Sequence, residues 1–199
     1  MRIYLVHSWD AYTTQHGIDD WHPPWYDWIE MQYPKDSGIT VTNLRMPNSS
    51  APEIDAWVSA LEYYIPKIDE NTIFIGHSIG CQAIMRYLAK KNPQTIGGAI
   101  FVAGWFELTN LETPEAEYIA KPWIETPIDF TTLAKFRKDI HVIISDDDQF
   151  VPLDPNQNLF KKYISDDVIT VDVKSHFDNV SSLPIVKEII DKIIQSHQQ

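Results

Sequence analysis

The sequence has few of the features that mark secreted, membrane-spanning or disulfide-bonded proteins. Cys81 is its single cysteine, so no disulfide can form within the chain. No apolar run approaches the roughly 20 residues that span a bilayer. The apolar residues 1–6 turn polar at His7 and Ser8, too soon for a signal peptide. These absences predict a protein of the reducing cytoplasm.

Positive charge is also scarce. Sixteen Lys and Arg stand against 28 Asp and Glu, which gives a formal net charge of −12. Such a chain repels phosphate backbones and anionic lipid surfaces. We therefore expect neither nucleic acid nor a membrane among its partners.

The alternation of apolar patterns predicts the fold class. With 199 residues and 44% hydrophobic content, residues 1–199 can bury one sizeable core, and we expect a single domain. Short β-branched runs predict strands at 2–6, 39–44, 72–75, 99–102, 140–144 and 168–173. Amphipathic stretches predict helices at 25–33, 52–68, 79–90, 130–138, 156–164 and 184–194, with Pro52 and Pro184 in first helical turns. This order indicates an α/β fold with a mainly parallel sheet of about six strands and helices on both faces.

Two segments interrupt the alternation. Residues 7–24 follow the first predicted strand and residues 104–127 follow the fourth, and both are rich in tryptophan and proline. In an open α/β sheet they emerge at the carboxyl ends of strands, where ligands bind. Both segments are therefore candidate pocket walls, and residues 104–127 are also a candidate lid. Alternatively, the tryptophans cap the sheet and the prolines end helices.

Residues 76–80 read Gly-His-Ser-Ile-Gly, a G-x-S-x-G pattern between a predicted strand and a predicted helix. A serine hydroxyl is a poor nucleophile unless it is exposed beside a base and near oxyanion donors. A tight strand-to-helix turn provides the exposure, and small flanking residues allow the close approach that it needs. The pattern favours Ser78 as a nucleophile over a simple Gly/Ser loop.

A base and an acid are expected at the same edge of the sheet. His176 follows the last predicted strand and precedes the final helix, which makes it the best candidate base among seven histidines. His77 lies in the turn itself and is poorly directed to accept the proton of its neighbour. Three aspartates follow the fifth predicted strand, and Asp148 is favoured as the acid because of the pattern Asp148-x-x-Val151-Pro152, with Asp147 as the second choice.

The order Ser78, Asp148, His176 resembles that of the α/β-hydrolase superfamily. The short length, the segment 76–81, the turn around Asp148 and the Ser-His-Phe at 175–177 resemble compact serine hydrolases of the retinoblastoma-binding-protein-9 and YdeN-like family. The resemblance covers nearly the whole chain. It implies a reduced hydrolase sheet, carboxylesterase-type activity on a small-molecule ester, no metal and no organic cofactor, and it supports Asp148 as the acid.

One departure concerns the loop after the first strand. Hydrolases of this superfamily usually have His-Gly there, whereas this chain has His7-Ser8-Trp9. The predicted oxyanion donors are the backbone N–H of Ile79, the residue after the nucleophile, and that of Trp9. Serine in place of glycine leaves the conformation of this loop open.

The sequence thus predicts a Ser-His-Asp esterase that works through an acyl-enzyme, although amides and thioesters could be cleaved by the same residues. Aromatic side chains predicted to line the acyl pocket are Trp105, Phe106, Trp123, Phe150 and Phe177, together with Trp9 and Trp21. The alternative is a protein-interaction module on a hydrolase scaffold, with exposed tryptophans as anchors. Cys81 is interpreted as a small buried helix residue rather than as a reactive thiol.

Overall fold

The computed structural model describes residues 1–15, 17–172 and 174–197. Six parallel strands form one sheet in the order β4-β1-β5-β6-β7-β8. The strands are β1 (Arg2–Val6), β4 (Thr40–Leu44), β5 (Thr72–His77), β6 (Gly98–Val102), β7 (Ile140–Ser145) and β8 (Asp167–Val171). The predicted sheet is confirmed, with strand ends shifted by one or two residues. Val173, which was predicted to end the last strand, lies outside the described residues.

The helices are α1 (Trp25–Met31), α2 (Ile54–Tyr64), α3 (Ile79–Lys91), α4 (Pro114–Glu125), α5 (Phe130–Leu133), α6 (Leu153–Tyr163) and α7 (Pro184–Ser196), and a 3₁₀ turn (Ala134–Phe136) follows α5. Pro184 occupies the first turn of α7, as predicted. Pro52 does not lie in a helix, because α2 begins only at Ile54 after the N-cap residue Glu53.

Alternate side chains of the central strands pack on opposite faces of the sheet, as expected from the period of two along a strand. Ile73 and Ile75 join the core cluster that includes α1 and α7, whereas Phe74 joins the cluster that includes α2, α3 and α6. Every residue of β5 is buried. Two apolar layers therefore hold the strand that ends directly before Ser78.

Two elements were not predicted. A short antiparallel hairpin, β2 (Thr13–Gln15) with β3 (Ile18–Trp21), lies in the segment after β1. Helix α4 lies in the segment after β6, where Pro114 and Pro122 suggested irregular chain; Pro114 occupies the first turn, which tolerates proline. No described helix combines the length and apolar character needed to cross a membrane.

Candidate active site

Ser78 lies at the sharp turn between β5 and α3. Its backbone has φ 54° and ψ −119°, in a region that is costly for a residue with a side chain. A Cβ on Gly80 would lie 2.2 Å from the carbonyl oxygen of Val6, and one on Gly76 would lie 2.8 Å from the backbone of Cys81. The two glycines thus let α3 begin directly against β1 and β5, which fixes the direction of the Ser78 side chain.

Ser78, His176 and Asp148 are joined by hydrogen bonds. His176 Nε2 lies 2.8 Å from Ser78 Oγ, and His176 Nδ1 lies 2.8 Å from Asp148 Oδ2. Because a carboxylate oxygen can only accept, Nδ1 carries the proton and Nε2 is the acceptor for the Ser78 hydroxyl. Asp148 reaches these atoms from the loop after β7, and His176 from the loop after β8. Three sequence-predicted residues therefore meet in a single chain of contacts.

Asp147, the second choice for the acid, does not contact His176. Its Oδ1 accepts hydrogen bonds from Ser145 Oγ at 2.6 Å and from the backbone N–H groups of Lys174 and Ser175 at 2.9 and 2.7 Å. These hydrogen bonds lower the pKa of Asp147, and the bond from Ser145 has the largest effect. Asp147 thus ties the end of β7 to the loop that carries His176, a role that the sequence did not suggest.

The environment of His176 favours its protonated form. Burial alone would lower the pKa of His176, but the hydrogen bond and the negative charge of Asp148 outweigh burial, so the pKa is raised above 6.5. Asp178 adds a smaller contribution in the same direction. An imidazole arranged in this way holds a proton well once it has taken one from Ser78.

The loop after β1 is held by His7 rather than by a flexible glycine. The backbone N–H of Met46 donates to His7 Nε2 at 2.9 Å, so His7 Nδ1 bears the proton and donates to the Ser8 carbonyl at 2.7 Å. Burial is the main reason that the pKa of His7 falls to about 4. Ser8 is buried and does not adopt a positive φ. Ser8 therefore fits this loop without a backbone conformation that favours glycine.

A second set of buried hydrogen bonds joins that loop to the loop of His176. The backbone N–H of Ser8 donates to Tyr26 Oη at 3.1 Å, and Tyr26 Oη lies 2.6 Å from His77 Nδ1. His77 Nε2 lies 2.7 Å from the carbonyl oxygen of His176. A carbonyl only accepts, so Nε2 bears the proton of His77 and the Tyr26 hydroxyl donates to Nδ1. Tyr26 and His77 thus hold loops from both sides of Ser78.

The residues predicted to supply the oxyanion donors line the same cavity as Ser78. Ile79 is the first residue of α3, and the first N–H groups of a helix have no acceptor within it. In the loop after β1, the N–H of Ser8 is already used by Tyr26. The N–H of Trp9, the next residue, remains the candidate from that loop. Ile79 and Trp9 both line the cavity that opens on Ser78.

That cavity has a volume of about 360 Å³. Four aromatic side chains that the sequence predicted as pocket residues lie on its wall, namely Trp9, Trp21, Trp105 and Phe150. Trp105 also contacts the candidate nucleophile, because its indole Nε1 lies 3.3 Å from Ser78 Oγ. The sequence predicted Trp105 as a wall residue because it is an aromatic residue in the segment after the fourth predicted strand. It did not predict this hydrogen bond.

Three predicted pocket residues pack elsewhere. Phe177 is fully buried in the core beside α1 and α7. Trp123 is buried against Trp57, and its indole N–H donates to the Pro52 carbonyl at 2.9 Å. Phe106 packs between Phe130 and Phe160. None of the three lines the cavity beside Ser78, because neighbouring residues in a chain point to different sides, and position alone does not say which side faces the cavity.

Helix α4 and the loop before it form one wall of the cavity. Leu108, Leu111, Glu112, Thr113 and Ala116 line it from this segment. The other end of α4 is fastened to α3, since the buried guanidinium of Arg86 donates to the carbonyls of Trp123 and Thr126 at 2.9 and 2.8 Å. The wall is therefore anchored on the helix that begins at Ser78.

In the described part of the chain, Trp25, Trp57, Trp105 and Trp123 are buried, and Trp9, Trp21 and Trp28 are partly buried. Cys81 is fully buried, and burial raises the pKa of its thiol well above the usual value. A reactive thiolate is thus disfavoured at this position. Within the described ranges, no three His, Cys, Asp or Glu side chains come together as a metal site.

Comparison with known proteins gives a match along most of the chain. A family model described as "Serine hydrolase" matches residues 3–192. The YdeN protein of Bacillus subtilis (strain 168) is 28% identical over 193 residues, which cover 95% of this chain and 94% of that protein. The rat serine hydrolase RBBP9 is 28% identical over 100 residues, about half of each chain.

Solved structures agree in fold. The crystal structure of the B. subtilis ydeN gene product superimposes with a TM-score of 0.81 at 26% identity and covers 98% of both chains. Est1E from Butyrivibrio proteoclasticus superimposes with a TM-score of 0.67 at 14% identity, over 100% of this chain and 88% of the other. Its identity is low enough that this likeness speaks for the fold alone.

Proposed function

The chain belongs to the serine hydrolase family, and from that premise we propose that it is a carboxylesterase in which Ser78 is the nucleophile, His176 the general base and Asp148 the acid that orients it. The observation that carries the proposal is the unbroken chain of two 2.8 Å hydrogen bonds from Asp148 through His176 to Ser78 Oγ. The strained turn at Ser78 and the cavity beside it support the same proposal.

In the proposed acylation step, Ser78 Oγ attacks the ester carbonyl carbon while its proton passes to His176 Nε2. The carbonyl oxygen becomes an oxyanion, which the backbone N–H groups of Ile79 and Trp9 stabilise. When the carbon–oxygen bond to the alcohol breaks, His176 returns the proton to the leaving alcohol. Asp148 stays ionised and stabilises the imidazolium in between.

Deacylation repeats these steps with water. His176 takes a proton from the water as the water attacks the acyl-enzyme carbonyl, and it returns the proton to Ser78 Oγ when the carboxylic acid leaves. Removal of a single oxyanion donor typically costs about 10²- to 10³-fold in kcat. The hydrogen bonds of His7 hold the loop that carries the N–H of Trp9. We therefore expect this donor to be in place, and the enzyme to be efficient rather than slow.

The substrate is proposed to be a small ester. The cavity volume of about 360 Å³ lies near the lower end of the range for ligand pockets, roughly 300–1,000 Å³. Tryptophan and phenylalanine faces on its wall offer apolar contact to an acyl chain. A series of 4-nitrophenyl esters of increasing acyl length should show a maximum of kcat/KM at a short chain.

The test is covalent labelling together with hydrolysis. A fluorophosphonate probe should label the wild-type protein, and a Ser78→Ala variant should neither be labelled nor hydrolyse 4-nitrophenyl esters. His176→Ala should lose hydrolysis while it keeps the fold, as judged by circular dichroism. Labelling or hydrolysis that persists in folded Ser78→Ala would place the nucleophile elsewhere and refute the proposal.

A further inference from the structure

The indole N–H of Trp105 points at the oxygen of the candidate nucleophile. Trp105 Nε1 lies 3.3 Å from Ser78 Oγ, and an indole nitrogen can only donate. We propose, on the basis of the function above, that Trp105 is a further catalytic residue whose N–H directs the lone pair of Ser78 Oγ and stabilises the negative charge that develops there. This role is separate from the backbone oxyanion donors, which act on the substrate oxygen.

The first part of the argument is stereochemical. A serine oxygen has four tetrahedral directions, namely its bond to Cβ, its hydrogen and two lone pairs. The hydrogen is directed to His176 Nε2 at 2.8 Å, and one lone pair accepts from Trp105. Only one direction remains free. Because Ser78 lines the cavity, we infer that the remaining lone pair is presented to an ester carbon bound there.

The second part concerns charge. As Ser78 Oγ gives its proton to His176 and forms its bond to the carbonyl carbon, the oxygen carries more negative charge than a hydroxyl. The same holds in deacylation, when the bond from carbon to Oγ breaks before His176 returns the proton. Trp105 keeps its own proton throughout and changes no bond. Hydrogen bonds to charged groups are stronger than those between neutral groups by an amount that corresponds to about a tenfold change in rate.

Trp105 is held firmly enough for this role. Its side chain is 1% exposed, and its carbonyl accepts a hydrogen bond from Gln82 Nε2 on α3 at 2.6 Å. The preceding Gly104 is packed so closely that a Cβ there would lie 2.8 Å from the Phe160 ring. The backbone of Trp105 is therefore fixed to α3, and the buried indole has little room to turn, so its donor need not be ordered during the reaction.

Two substitutions separate the donor from the shape of the ring. Trp105→Phe removes the N–H and part of the ring, whereas replacement of Trp105 by 3-(3-benzothienyl)alanine keeps the size of the indole and removes only the donor. We expect both variants to react about tenfold more slowly with a fluorophosphonate probe. Acylation and deacylation of a 4-nitrophenyl ester, followed by stopped flow, should both be slower by a similar factor. In the benzothienyl variant the inhibition constant of the matching carboxamide should be unchanged, because the size of the ring is kept and binding in the cavity does not use the N–H.

Trp123→Phe is the matched control. It also removes a buried indole N–H, but that group donates to the Pro52 carbonyl and lies outside the cavity. We expect wild-type rates from this variant. Wild-type rates from the benzothienyl variant would overturn the proposal and leave Trp105 with a packing role. Equal slowing in Trp123→Phe would also overturn it, because the effect would then not depend on the contact with Ser78. Neither result touches the proposed nucleophile, which the Ser78→Ala variant tests separately.

Discussion

His77 Nε2 donates a hydrogen bond to the backbone carbonyl of His176 across 2.7 Å, although the two residues are 99 positions apart in the sequence. His77 is fully buried, and its pKa lies well below 6.5. Burial is the main cause, and the charge of the nearby His176 is the second. His77 is therefore neutral near neutral pH, and this residue beside Ser78 holds the loop that carries His176. The hydroxyl of Tyr26 continues this connection to Ser8 on the other side of the site.

The first prediction concerns that connection. Tyr26→Phe leaves two buried groups, the N–H of Ser8 and Nδ1 of His77, without their partner. Each such loss typically costs about 1–3 kcal/mol, so the free energy of unfolding should fall by at least about 1 kcal/mol. We also expect kcat/KM to fall, because both loops lose a common support.

Urea unfolding followed by fluorescence, together with ester hydrolysis, measures both effects. Tyr118→Phe is the control, since Tyr118 is 79% exposed on α4 and should tolerate the change. A Tyr26→Phe variant with unchanged stability and activity would mean that the hydrogen bonds of this hydroxyl do not support the site.

The second prediction compares two adjacent aspartates. Asp148→Asn replaces the acceptor for His176 Nδ1–H with an amide, which can stabilise the wrong tautomer of the imidazole. A loss in kcat on the order of 10⁴-fold is known for this kind of change. Asp147→Asn retains an oxygen that can accept from Ser145, Lys174 and Ser175, so we expect a loss of less than about tenfold.

Steady-state hydrolysis by the two purified variants, with circular dichroism to verify folding, decides the comparison. If Asp147→Asn loses more activity than Asp148→Asn, the acid has been assigned to the wrong residue.

The third prediction concerns pH. Only neutral His176 can accept the proton of Ser78, so kcat/KM falls as pH drops through the pKa of His176. That pKa is raised, and the acid limb of the profile should therefore have its midpoint above 6.5. In Asp148→Asn the hydrogen bond to a charged group and its electrostatic effect are lost, while burial continues to favour the neutral imidazole. The midpoint should then move to lower pH. A profile that does not change in this variant would show that another group controls the limb.

The sequence was informative where a local pattern determines the structure. Strand β5 could be predicted because a strand buried on both faces shows a continuous apolar run in the sequence. The turn at Ser78 could be predicted because Gly76 and Gly80 allow neighbouring backbone to approach closely. The hairpin β2–β3 could not, since its strands are only three and four residues long, β2 is polar, and β3 is mostly exposed. Helix α4 was missed because Pro114 and Pro122 are also typical of loops.

Side-chain direction was the main limit at the site. Trp105 and Trp123 have the same residue type and lie in the same segment, yet one contacts Ser78 and the other donates to Pro52. The supporting roles of Tyr26 and His77 depend on contacts between residues that are 18 to 99 positions apart. Such contacts leave no local pattern in a single sequence.

The last prediction concerns the charge of the substrate. Asp10, Glu112 and Asp178 line the cavity, and the described residues of its wall include no lysine or arginine. Burial raises the pKa of Asp178, and this effect outweighs the opposing influence of His176. A negative charge on the acyl chain should therefore be disfavoured, and a positive charge should be favoured and can also lie against the aromatic faces of the wall.

Two 4-nitrophenyl esters with acyl chains of equal length test this, one ending in a trimethylammonium group and the other in a carboxylate. At pH 8 and low salt we expect kcat/KM to be at least about tenfold higher for the cationic ester, with a neutral ester between them, and the ratio should shrink as salt is added. Asp178→Asn should also reduce the ratio. Its effect on His176 cancels in this comparison, because both esters use the same base. A ratio near one in the wild type would mean that these carboxylates do not act on the bound acyl chain.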